Sequence, residues 1–185
     1  AKSEKEKIGR DGKTRISRAE IFAVEVERKL IQGINTTIGA LHRTANRFPK
    51  KSAERYEVLK KLLHLYLENA AYVASDESRV YDQQWTKWEA GGRRGPEPRL
   101  NNSRSNGLWR RLASQANAIL AEYPRAKDAD EIMFNQALSL QFLGKEQDAA
   151  KSFSNIIKLF PNSQYAGDSF FSLGDYYFDR NDYTN

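Results

Sequence analysis

Residues 123–140 read YPRAKDADEIMFNQALSL, and residues 160–177 read FPNSQYAGDSFFSLGDYY. Both open on an aromatic and a proline. Both continue through a short polar run into an apolar pattern of helical period. The offset is 37 residues, and it extends beyond the two stretches. Pro124 falls on Pro161, Ala129 on Ala166, Met133-Phe134 on Phe170-Phe171, Ala137 on Gly174, Leu140 on Tyr177 and Gly144 on Asn181. Upstream, Tyr123 falls on Phe160 and Ile119 on Ile156. Agreement in residue type over this span, at a period of this size, signals stacked copies of one supersecondary unit.

The residue types suit a helical hairpin. Pro124 and Pro161 each end a helix, because proline lacks the amide that would continue it. Gly144 sits where the chain must turn between two helices, and glycine enters the left-handed region at little cost. Ala137 and Ala149 are small enough for two helices to cross closely, and Phe153 and Ile156 fill space toward the next unit. The spacing predicts helices over about 130–142, 146–160 and 166–178, preceded by one from Leu108 to Tyr123.

The run Met133, Ala137, Leu140, Gly144, Ala149, Phe153, Pro161 resembles the tetratricopeptide repeat. The next copy supplies Phe170, Leu173-Gly174, Tyr177, Asn181 and Tyr183. The chain departs from that family at Ile156, where a small residue is usual, and at Gln136, where leucine is usual. Its period also exceeds the family's usual length of about 34 residues. The longer turn, with its Pro-x-Ser-x-Tyr-Ala run at Pro161–Ala166, is similar to tetratricopeptide proteins of Gram-negative cell envelopes, such as outer-membrane assembly lipoproteins and Tol-Pal accessory proteins. The resemblance implies an all-α, right-handed solenoid of helical hairpins. It implies a non-enzymatic scaffold for protein–protein interaction, periplasmic or outer-membrane-associated, with a cytoplasmic location as the alternative.

It also implies a concave groove lined by the first helix of each unit. The expected groove residues are Glu131, Phe134, Leu138, Gln141 and Phe142, then Asp168, Phe171, Asp175, Phe178 and Asp179. The surface is aromatic and acidic, which suits an apolar or basic peptide, or a helix of a partner protein. Family members that clamp a terminal carboxylate use Lys and Arg at such places. Here only Asn135 offers a clamp-like group, so carboxylate clamping is disfavoured. The last unit has a first helix and only the start of a second. Solenoid ends need covering, so the natural chain is expected to continue past Asn185, or a partner or second copy to cover the end.

Residues 16–90 carry the pattern in degenerate form, with Phe48-Pro49 imitating the later aromatic-proline pairs. Ser17-Arg18-Ala19-Glu20 has the spacing of a capping box. Ile21, Val24, Leu30, Ile31, Ile34, Ile38, Leu41, Ala45 and Phe48 recur at helical spacing, with Gly33 a possible bend. A second helix is expected from Ser52 to about Val73, with a cap or break at Ser75–Ser78. Tyr81, Trp85 and Trp88 share one helix face, as packing residues. Residues 91–107, GGRRGPEPRLNNSRSNG, read as a disordered loop. Residues 1–15 are charged throughout, with Ile8 the lone aliphatic, and read as a mobile arm.

The net charge is +6, unevenly placed. Residues 1–111 carry 24 Lys and Arg against 14 Asp and Glu, whereas residues 112–185 carry 6 against 10. The basic part raises a second reading, an anion-binding module for nucleic acid, glycan or a membrane surface. It would use the N-terminal region and Arg93, Arg94, Arg99 and Arg104. Nucleic acid ranks lowest of these, since no aromatic-plus-basic RNA motif is present. No apolar run reaches the ~18 residues of a membrane span, and no apolar leader follows Ala1. With Met133 the one methionine, the chain reads as a processed or trimmed form.

Chemistry is sparse. Cysteine is absent, so disulfides, thiolate metal sites and cysteine nucleophiles are excluded. His42 and His64 lack metal-binding spacing, and no phosphate-binding or nucleophile-elbow motif occurs. Glu68, beside Asn69, is the one glutamate with any claim to glycosidase chemistry, and it reads better as a solvated helix residue. No enzyme, cofactor or metal is expected.

Overall fold

The computed structural model describes residues 18–180. The expected N-terminal arm, the capping hydroxyl of Ser17, and Asn181 and Tyr183 lie outside the described residues. Six helices follow one another: α1 (Arg18–Ala45), α2 (Ala53–Ala90), α3 (Ser103–Glu122), α4 (Ala129–Phe142), α5 (Glu146–Leu159) and α6 (Gln164–Asp179). The described residues contain no strand, and the fold is all-α. Each helix packs on the next in sequence, and α4 also touches α6.

The neighbours run antiparallel. Between α1 and α2, Asn69 Nδ2 donates to Asn35 Oδ1 at 2.8 Å, His42 bonds the Tyr66 hydroxyl at 2.7 Å, and Arg55 Nη1 donates to the Ala45 carbonyl at 2.6 Å. The partner number falls in α2 as it rises in α1. Alternate helices lie side by side in the same direction: α4 meets α2 through Asp128 and Glu131, and meets α6 through Asp130 and Phe134.

One apolar core joins the first four helices through Ile34, Ile38, Leu59, Leu62, Leu63, Trp109, Leu112, Ile119 and Ile132. A second holds Ala137, Ala149, Phe153 and Ile156, with Met133, Phe134, Leu140 and Tyr165 against it. Ala137 and Ala149 are both buried, so the small residues lie where α4 and α5 cross. Gly144, between these helices, has φ +69°. A side chain there would be strained.

The 37-residue offset reappears in the backbone. The Tyr123 amide bonds the Ile119 carbonyl at 2.7 Å, and the Phe160 amide bonds the Ile156 carbonyl at 2.8 Å. Ala126 bonds back to Tyr123 at 3.0 Å, as Ser163 does to Phe160 at 3.0 Å. Ala129 bonds Ala126 at 3.3 Å, and Ala166 bonds Ser163 at 3.1 Å. The two aromatics that end the helices adopt nearly the same backbone, φ −127° and ψ 70° at Tyr123, φ −133° and ψ 58° at Phe160. One turn is built twice.

Two boundaries differ from those expected. α2 passes straight through Ser75–Ser78 and ends only at Gly91. α3 starts at Ser103, inside the segment read as a loop, so the irregular segment ends at Asn102. Both differences have one cause. Glu77, buried in α2, accepts from the amides of Arg104 at 2.9 Å and Ser105 at 3.3 Å. α3 has no cap from its own Asn102 and no acidic residue in its first turn. A carboxylate from the neighbouring helix satisfies its orphan amides and faces the positive end of its dipole. Nearby, Asp76 pairs with Arg79 and, at 2.8 Å, with Arg104.

The other end of α3 is held by the same helix. Arg55 Nε donates to Glu122 at 2.9 Å, and the Lys51 amide donates to the same oxygen at 2.9 Å. Burial pushes the Glu122 carboxyl up, but the Lys51 and Arg55 bonds, with a Tyr123 bond and the Arg55 charge, together outweigh it and hold the group below the usual range. Further along, the irregular segment folds back on α2: Trp88 Nε1 donates to the Gly95 carbonyl at 3.3 Å, and Arg93 lies over the Trp88 ring. Trp85 contacts both Tyr81 and Trp88, at centroid distances of 6.0 and 5.3 Å.

Glu77→Ala should lower stability by about 1–2 kcal/mol, the cost of a lost cap and its unsatisfied amides. Arg55→Ala should cost about 2–3 kcal/mol, because it leaves a charged acceptor and the Ala45 carbonyl short of a donor. Urea unfolding checks both. In hydrogen exchange, Glu77→Ala should expose the first turn of α3 and leave α5 protected.

Candidate protein-binding surface

The ten residues expected to line a groove sit on α4 and α6, and the structure separates them by helix. On α4 most are engaged. Phe134 stacks on Tyr165 of α6 at 5.0 Å and 28°, and tilts against Phe153 of α5 at 5.9 Å. Phe142 stacks on Trp109 of α3 at 4.3 Å and 9°. Glu131 binds His64 of α2 at 2.7 Å. Leu138 is half-buried and Gln141 is exposed. Asn135, the clamp-like candidate, is buried, so it cannot present its amide to a ligand. The aromatics of α4 join neighbouring helices together.

On α6 all five are exposed. Phe171 is 72% exposed and Phe178 66%, and Asp168, Asp175 and Asp179 are open to solvent. Phe170, which the groove assignment omitted, is 60% exposed. Its helical position could have revealed it, since it lies one residue from Phe171 and four from Gly174 on the outer face. The buried face of α6 consists of Ala166 and Ser169, with Leu173, Tyr176 and Tyr177 half-buried beside them. An apolar outer strip is thus rimmed on one side by carboxylates. Among the described residues none of those three carboxylates takes part in an ion pair.

A polar cluster lies between α2 and the start of α4. Lys60 and Tyr56 both bond Asp128, the tyrosine at 3.3 Å. The Lys60 hydrogen bond holds the Asp128 carboxyl below its usual range, and the same bond raises Lys60. Burial, then the Asp128 charge, pushes the Tyr56 phenol up to about 12. The cluster closes the start of α4 against α2, which is a structural task.

The four arginines proposed for anion binding do not act as one group. Arg93 pairs with Glu89 at 3.0 Å and Arg104 with Asp76. Arg99 and Arg104 share a small cleft of about 180 Å³ that also contains Glu77. Arg94 is exposed. His42 is tied to Tyr66, and Glu68 is solvent-exposed. Among the described residues no group of three or more His, Asp or Glu is placed to hold a metal, and no helix is long and apolar enough to cross a membrane.

The depressed Asp128 and Glu122 contribute stability that is present above the ordinary carboxylate range and is lost as pH falls through their lowered values. The raised Tyr56 and Lys60 contribute stability that is present below about pH 10 and is lost as pH rises through their raised values. Stability to urea should therefore fall below about pH 4 and above about pH 10, and Asp128→Asn should flatten the acid limb. In an absorbance titration of the phenols, Tyr56→Phe should remove an ionisation near 12. No family model, curated protein or solved structure matches the chain.

Proposed function

We propose that this chain is a non-enzymatic scaffold of tetratricopeptide-like helical hairpins that holds a peptide or helix of a partner protein in a bacterial envelope complex. The observation that carries the reading is the repeated turn. The same three backbone hydrogen bonds recur 37 residues apart, after aromatics of matching conformation. Successive antiparallel helices with alternate helices side by side agree with a solenoid of such hairpins. The envelope assignment is supported by the Pro-x-Ser-x-Tyr-Ala turn at Pro161–Ala166. The binding surface is the outer side of α6, since an exposed aromatic strip on a folded protein marks an interaction site.

The test separates the two halves of the expected groove. A photoreactive amino acid at Phe171 should crosslink a protein partner in the native cell, whereas the same group at Lys151, an exposed residue of α5, should not. Phe171→Ala should weaken capture at least tenfold and leave the melting temperature unchanged. Phe134→Ala should instead cost about 3 kcal/mol or more of stability, because it removes a packed aromatic. Unchanged capture by a folded Phe171→Ala variant would overturn the assignment of the surface.

A further inference from the structure

We propose that the cleft between α2, the 91–102 segment and the start of α3 binds a small carboxylate, held by the Arg99 guanidinium with its apolar body against Tyr81 and Val80. The cleft has a volume of about 180 Å³. That is below the ~300 Å³ at which pockets begin to enclose a drug-sized molecule, so it suits a single ring or a short chain. None of its lining residues belongs to α6, so it stands independently of the scaffold reading.

Three elements meet here because of polar groups at either end of the segment. α2 continues past the point where α3 begins, and the returning segment runs back along its last turns. Trp88 Nε1 holds the Gly95 carbonyl at 3.3 Å, and Glu77 holds the amides of Arg104 and Ser105. Between these anchors the chain is stiffened by Pro96 and Pro98, whose rings fix φ. Arg99 follows directly and lines the cleft, so little backbone freedom remains to be lost on binding.

The polar groups of the cleft are unequally satisfied. Glu77 is buried, and both its oxygens accept from the first amides of α3, which are therefore not open to a ligand. Arg104 is tied to Asp76 at 2.8 Å. Arg99 is exposed and makes no hydrogen bond or ion pair among the described residues. The Gln84 amide and the Tyr81 hydroxyl also lack a partner there. Asn101 uses its Oδ1 on the Ser103 amide, which leaves its Nδ2 free to donate.

This set selects a ligand of two parts. An arginine fork matches a carboxylate through two parallel hydrogen bonds. Beside it Val80 is 40% exposed and the Tyr81 ring half-buried, so the neighbouring surface is apolar. A carboxylate with a ring or short apolar body meets a partner at each end, whereas inorganic phosphate leaves Tyr81 and Val80 uncovered. Arg93 is engaged by Glu89 and Trp88, and Arg94 does not line the cleft. The site thus depends on one placed arginine rather than on the overall charge of the segment.

Benzoate, benzamide and inorganic phosphate, titrated into the full chain and followed by amide chemical shifts, test the assignment. Benzoate should bind saturably and shift residues within 77–84 and 99–104. Benzamide, with the ring but no charge, and phosphate, with charge but no ring, should each bind at least tenfold more weakly. Arg99→Gln should weaken benzoate at least tenfold and leave the melting temperature unchanged, because Arg99 makes no internal bond. Arg94→Gln should leave benzoate binding as it was. A short peptide ending in phenylalanine separates two sources of the carboxylate. Binding at least tenfold tighter than benzoate, lost on amidation of its terminus, identifies a chain end; binding no tighter than benzoate identifies a free small acid.

No saturable benzoate binding, equal affinity for benzamide or phosphate, or shifts centred outside the cleft overturns the proposal. So does equal weakening by Arg94→Gln and Arg99→Gln, which would mean diffuse attraction to a basic surface.

Discussion

The grip of α2 on both ends of α3 is the constraint on which the arrangement of the first four helices depends. α3 carries no acidic residue in its first turn and no basic residue in its last. Left alone, its dipole would be uncompensated, and apart from the Ser103 amide, which bonds Asn101, its first amides would lack an acceptor. Glu77 meets the amides at one end, and Arg55 binds Glu122 at the other. Arg55 also reaches the last carbonyl of α1. Three helices are therefore fixed in register by polar groups from one of them, and the apolar residues between them fill a space whose length is already set.

Beyond α3 the design changes. α4, α5 and α6 are joined by a repeated turn and by ring contacts, with fewer long-range ion pairs. Phe134 is central, since it touches α5 through Phe153 and α6 through Tyr165. Only two residues of the second core, Phe153 and Ile156, are both large and fully buried; Ala137 and Ala149 contribute close approach rather than area. Such a core depends on neighbouring layers for stability, as quasi-one-dimensional stacks do. The exposure of Phe170 and Phe171 at its far side follows from the same logic, because α6 has a neighbouring helix on one side only among the described residues.

Much of this was legible in the residues. The aromatic-proline pairs, the small residues at 137 and 149 and the glycine at 144 gave the last helices and their turns to within about two residues. The breadth of α2 was not legible. Ser75-Asp76-Glu77-Ser78 looks like a helix end, because Ser and Asp favour caps. Glu77 does act as a cap, but for a helix that starts 26 residues later. Local pattern reading has no access to such a partner.

The residues assigned to the groove divide by helix for a similar reason. Helical spacing assigned Phe134, Phe142, Phe171 and Phe178 to one groove, but it could not say which of them another helix would contact. On α4 the aromatics stack on rings of neighbouring helices, although Phe142 stays half exposed, and on α6 Phe170, Phe171 and Phe178 remain at the surface. The sequence by itself determined the all-helical character, the repeated turn and the chemistry of each face, because these depend on short-range period and residue type. The tertiary structure alone decided which polar groups complete the ends of α3 and which aromatics stay accessible, because both depend on contacts between residues far apart in the chain.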